Sequence, residues 1–245
     1  MGLISEAGIS FLARWGHFIA GITWIGLLYY FNLVQVPAFA QMDAGSRTDA
    51  IRRLVPRALW WFRWAALATF LTGLAMLILD WEVYDRTLPG VAILSGAFLG
   101  TIMLANVWGV IWPNQKVVIA NAEATASGGQ ALPNAAAAGR KAFLASRTNV
   151  LLSVTMLFFM GAAHHFAPAA GDYYVTGDSS QVAVYWGFLL VVAGVIEVNA
   201  LGLLGGTGPG MLRKPLETVQ SVVISAVVLA LVIYVVGWEI LLRPM

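Results

Sequence analysis

The polar and apolar positions of this chain divide it into long blocks rather than a fine alternation. Six apolar runs stand out, at about 9–36, 59–80, 91–112, 148–167, 182–204 and 216–240. Each is long enough to cross a bilayer as a helix, which takes about 20 residues. The runs are continuous and show no period of two, so they predict helices rather than barrel strands. Pro37, Asp80, Pro113 and Pro168 follow the first four runs and read as stops, and "GGTGPG" at 205–210 closes the fifth. The sequence therefore predicts an all-α integral membrane bundle of about six transmembrane helices in a single domain, 1–245. The connection 113–147, rich in Ala, Gly and Asn, is expected to be a mobile cytoplasmic loop with a short interfacial helix at 135–146.

Composition supports the same class. Hydrophobic residues make up 60% of the 245 positions and charged residues 11%, with a mean hydropathy of +0.79. Soluble domains carry about 25% charged residues, so this chain has too little polar surface to coat a water-soluble globule. With no cysteine, disulfides, thiolate metal sites and covalently attached c-type haem are excluded. The first run lacks a basic leader and a small-residue cleavage site, and is expected to be a retained helix.

Charge orients the bundle. Arg47, Arg52, Arg53, Arg57, Arg63, Lys116, Arg140, Lys141, Arg147, Arg213 and Lys214 fall at one end of the predicted helices, eleven of the fourteen Lys and Arg residues. Glu6, Asp80, Glu82, Asp85, Asp172, Asp178 and Glu239 fall at the other. Both termini are accordingly expected on the periplasmic side of a bacterial inner membrane, with the basic end in the cytoplasm.

Two polar layers interrupt the apolar runs. His17 lies about 12 Å into the first helix, in "RWGHFIAGITWIGLLYY". Helical spacing puts Arg14, Gly21 and Trp24 on its face. His164 and His165 sit at a similar depth near the end of the fourth run, one turn after Gly161. Imidazole is a common haem ligand, and bundles hold such groups between facing helices. One reading is thus a b-type haem with iron bound by His17 and His164 or His165, and with Arg14 beside a propionate. The alternatives are hydrogen bonding to a neighbouring helix, or a three-His zinc site. The second layer joins Glu197, Asn106 and Thr155 about 10 Å from the basic boundary, with Asn32, Gln35 and Asn199 closer still. Arg63 is a candidate partner for Glu197. The layer reads either as a substrate pocket or proton path, or as hydrogen bonding between helices.

"RWGHFIAGITWIGLLYYFNLVQVPAF" (14–39), "MLANVWGVIWPNQKVVI" (103–119) and "LLSVTMLFFMGAAHHF" (151–166) resemble the membrane domain of bacterial membrane-bound urate oxidases, the cytochrome-c-linked urate hydroxylases. The resemblance implies oxidation of urate to 5-hydroxyisourate, with electrons passed to cytochrome c. Family members typically carry that cytochrome as a C-terminal domain. No Cys-x-x-Cys-His occurs here, so a separate cytochrome c or a larger electron-transfer complex is the expected partner. Urate is an anion at neutral pH. Asn106, Arg63, Gln115 and Lys116, with Arg57 nearby, are the expected substrate-binding residues, and Glu197 is the expected base. Two further functions fit the same pattern. One is a non-catalytic membrane subunit of a respiratory or photosynthetic complex. The other is a proton-coupled transporter built on Glu197, which lacks the broken helices such transporters use.

Overall fold

The computed structural model describes residue 2, residues 4–165 and residues 179–242. Six of its helices are long and apolar enough to cross a membrane. They are α1 (Glu6–Gln41), α3 (Val55–Leu79), α5 (Leu88–Ala126), α6 (Ala135–His165), α7 (Ser179–Ala200) and α9 (Val219–Ile240). Shorter helices connect them: α2 (Ala44–Arg53), α4 (Trp81–Tyr84) and α8 (Lys214–Glu217). No β-strand occurs among the described residues.

The helices end less abruptly than the sequence suggests. Pro37 and Pro113 stop nothing. A six-residue π-helical segment precedes each, Tyr30–Gln35 in α1 and Asn106–Ile111 in α5, and the helix then continues through the proline. Proline lacks an N–H and crowds the carbonyl of the preceding turn. Widening that turn relieves the clash without ending the helix. At about 1.5 Å per residue, the 39 residues of α5 reach well past a hydrocarbon core of about 30 Å. The stretch expected to be a loop, 113–147, is therefore helical over most of its length. Only about 127–134 is loop, between Trp112–Ala126 and the start of α6.

Helix α6 is the centre of the bundle. In its most apolar window 67% of residues are buried, against 17–44% in the other five. It packs along α5 on one flank and α9 on another, while α1 and α3 form a second close pair. Small residues allow both approaches. A Cβ on Gly96 of α5 would sit 3.0 Å from Met160 and 3.2 Å from the Met156 carbonyl of α6. Gly16 and Gly21 of α1 admit the methyl groups of Thr72 and Thr69 of α3. Trp60 and Trp61 of α3, with Val191 and Val195 of α7, are exposed, as expected of side chains that meet acyl chains.

At the basic end α6 is tied to the α7–α9 connection. Arg140 forms a bidentate pair with Glu217, 2.9 Å at one contact, and also donates to the Thr207 carbonyl. Arg213 is buried and donates to the carbonyls of Asn199, Leu204 and Gly208. The Arg140 guanidinium holds the Glu217 carboxyl below its ordinary value. A carboxyl depressed in the folded state stabilises it at neutral pH, and that contribution disappears as pH falls through the depressed value. Glu217→Gln should cost about 1 kcal/mol at pH 7. In thermal unfolding of detergent-solubilised protein, the gap between variant and parent should close on acidification below about pH 4.

Candidate functional site

Three polar loci lie in this bundle, and α5 contributes to two of them with different faces. The first joins α5, α6 and α7. Asn106, at the start of the π-helical segment, is buried and donates to Glu197 Oε1 at 2.9 Å and to Asn149 Oδ1 at 3.0 Å. Asn149, fully buried on α6, donates in turn to the Met103 carbonyl at 3.0 Å. That carbonyl also accepts from the Asn106 backbone N–H, and the Asn149 amide supplies it with a second donor. The sequence pattern placed Asn106 and Glu197 at one depth, and the structure brings them into contact. Thr155, assigned to the same layer, is buried with its hydroxyl unpaired. Asn149 was not singled out from sequence. Its signal was the run "SRTN", 146–149, four polar residues opening an apolar stretch.

The second locus lies between α3 and α5. Arg63 does not pair with Glu197. Its guanidinium lies 3.9 Å from the centre of the Trp112 ring, with Trp108 and Trp64 at 5.7 and 5.9 Å. Lys116 approaches the same Trp112 ring at 5.6 Å. Indole faces attract cations, which accounts for two like charges around one ring. Among the described residues neither cation has a carboxylate partner. Asn106, Arg63, Gln115 and Lys116 therefore do not converge on one pocket. Arg63 and Lys116 meet at Trp112, Asn106 turns to Glu197, and Gln115 lines a separate cavity. That cavity, of about 230 Å³, lies among α1, α2, α3, α5 and α6 and is lined in part by Phe31, Asn32, Gln35, Phe62 and Phe143.

The third locus holds His17, half-buried between α1 and α3. Its Nδ1 lies 2.9 Å from the Thr69 carbonyl and 3.3 Å from Thr72 Oγ1. Its ring lies against Gly73, where a Cβ would come within 3.1 Å of Cε1. Gly21 faces Thr69 rather than the imidazole. Trp24 is buried with its indole N–H unpaired. Arg14 pairs with Asp80 at 3.1 Å, and Ser10 also donates to that carboxylate. Arg14 thus has a carboxylate partner at the end of α3, in the place foreseen for a propionate. His165 is exposed near the end of α6, and the His164 side chain lies outside the described residues. Among the described residues no three His, Cys, Asp or Glu side chains gather as a metal site.

Residues 87–176 match the urate oxidase N-terminal family. The matched segment is urate-oxidase-like and contains α5 and the whole of α6. It includes Asn106, Trp112, Asn149 and both histidines of the pair, but not His17, Arg63 or Glu197. Neither the curated proteins nor the solved structures compared contain a match to the chain.

The Asn106–Asn149 contact is the part of the first locus that lies wholly inside the urate-oxidase-like segment. Asn149→Leu takes one of two donors from the Met103 carbonyl and an acceptor from Asn106. A loss of about 1–3 kcal/mol of stability is expected, read as a lower unfolding midpoint in detergent. Thr155→Val, whose hydroxyl has no partner, should be close to neutral.

Proposed function

We propose that this chain is the membrane core of a b-type haem oxidoreductase of the urate hydroxylase kind. It oxidises urate or a related planar anion and passes electrons to a separate cytochrome c. The family match over α5 and α6 supports the relation to urate oxidases. The observation that carries the haem assignment is the hydrogen bond at His17. A backbone carbonyl cannot donate, so the 2.9 Å contact to Thr69 places the imidazole proton on Nδ1 and leaves a lone pair on Nε2. Histidine ligands bind iron in that state, with the other nitrogen held by a carbonyl or carboxylate. His165, or His164, is the second ligand candidate, arriving on α6. Bound there, the haem would supply a one-electron carrier between substrate and cytochrome.

The protein's own groups divide the remaining work. Arg63 and Lys116 offer two cations around the Trp112 ring with no competing carboxylate among the described residues, which suits a flat anion. Oxidation of urate to 5-hydroxyisourate consumes one water and releases two electrons and two protons. Glu197 accepts one hydrogen bond, from Asn106 to Oε1, and its second oxygen is available to take a proton. Because Asn106 and Arg63 have different neighbours, Glu197 serves as a proton acceptor in the adjoining layer and not as a base against the ring.

Two measurements test this function. Detergent-purified protein reconstituted with haem should show a b-type Soret band and reduced-minus-oxidised spectrum, and His17→Ala should lose both. A parent protein with no Soret band sinks the haem assignment. Glu197→Gln should lower urate-dependent reduction of cytochrome c by at least about 10-fold, with the haem spectrum intact. Unchanged turnover in that variant removes Glu197 from the reaction.

A further inference from the structure

We propose that the cavity among α1, α3, α5 and α6 binds the headgroup of a membrane quinol, in preference to the oxidised quinone. Size is the first argument. About 230 Å³ is the share of roughly eight waters and falls below the ~300–1,000 Å³ of sites for drug-sized ligands. One substituted aromatic ring fits that space. The walls are the second argument. Phe31, Phe39, Phe62 and Phe143 line it with aliphatic side chains, and no lining residue is charged. The occupant is therefore a flat, uncharged ring.

The hydrogen-bonding groups decide between ring types. Asn32 is buried and uses its amide nitrogen twice, toward the Leu28 carbonyl at 2.8 Å and Ser146 Oγ at 2.7 Å. The Leu28 carbonyl can only accept, so the NH₂ group must face it. Among the described residues no donor reaches Asn32 Oδ1, which is left as an acceptor. Gln35 Oε1 is likewise buried with no donor. Gln115 makes no hydrogen bond among the described residues and can turn its amide toward a ligand. A buried acceptor left unmet costs about 1–3 kcal/mol, so the matching occupant brings hydroxyl or N–H donors. A quinol carries a hydroxyl at each end of its ring. A quinone carries carbonyls there, and opposes the lone pair of Asn32 with its own.

The position suits a molecule with an apolar tail. The lining residues of α1 fall within its membrane-crossing length, Glu6–Gln41, and Val36 among them and Val34 beside them are exposed. Urate has the N–H groups but also a charge, which needs a cation in an apolar setting. Arg140 and Arg147 rest 5.4 and 5.2 Å from the centre of the Phe143 ring and do not line the cavity.

The test is calorimetric titration of the full chain in detergent, under anaerobic conditions, with ubiquinol-1 and ubiquinone-1. Ubiquinol-1 should bind at least about 10-fold more tightly, which raises the potential of the bound two-electron couple by about 30 mV. Gln35→Leu should weaken ubiquinol-1 binding by about 10-fold. Ser146→Ala frees one Asn32 amide hydrogen for the ligand and should narrow the preference for the reduced form. Equal affinity for the two forms overturns the proposal, as does unchanged binding in Gln35→Leu, or displacement of ubiquinol-1 by urate. His17→Ala should leave the titration unaltered, so failure of the haem assignment and failure of this one are separable.

Discussion

A polar side chain can survive inside an apolar bundle only where lipid cannot reach it, and in this protein α6 provides that shelter. Flanked by α5 and α9 and touched by α1 and α7, it buries Arg147, Thr148, Asn149, Ser153 and Thr155 within nine residues. On a lipid-facing helix such a run would be prohibitively costly. Here it becomes the surface that receives other helices. Asn32 reaches Ser146, Tyr29 reaches Ser153, and Asn106 reaches Asn149. Two of these contacts come from α1, which exposes Phe11, Trp15, Phe18 and Ile22 elsewhere on its surface. That helix thus keeps an apolar back outward and sends its amide and hydroxyl inward.

Helix α5 then separates the chemistry. Asn106 faces the Glu197 layer, Trp112 carries Arg63 and Lys116, and Gln115 opens on the cavity beside α1. Three environments within ten residues of one helix differ sharply in charge. One contains a carboxylate, one gathers cations, and one has no charge at all.

Much of this architecture was legible in the sequence, because apolar run length and continuity are set directly by the membrane. The six helices long and apolar enough to cross a membrane follow from that alone. What the pattern missed has identifiable causes. Pro37 and Pro113 read as stops because a π-helical turn leaves no mark in hydrophobic periodicity. The stretch after Pro113 read as loop because Ala-rich helix outside the bilayer looks like low-complexity linker. Depth placed Glu197 and Asn106 together correctly, since rise per residue is constant. It could not say that Arg63 turns to Trp112, because rotation about a helix axis depends on which helix packs where. His17 was visible as an anomaly, while its carbonyl partner was not, since a backbone acceptor has no residue identity.

The two widened turns carry a consequence for how this chain tolerates change. A π-helical turn is in effect an α-helix with one residue too many, so its register is held by length as much as by side chains. Losing one residue between Asn106 and Ile111 would let α5 run as regular helix and leave Trp112 and Gln115 facing much as before. A loss between Leu88 and Ala105 has no surplus to absorb it and would rotate everything beyond by about 100°, swinging Trp112 away from Arg63 and Gln115 away from the cavity with no side chain altered. For this protein the severe single-residue deletions fall in the regular turns of α5, and the widened turn is where the helix tolerates one.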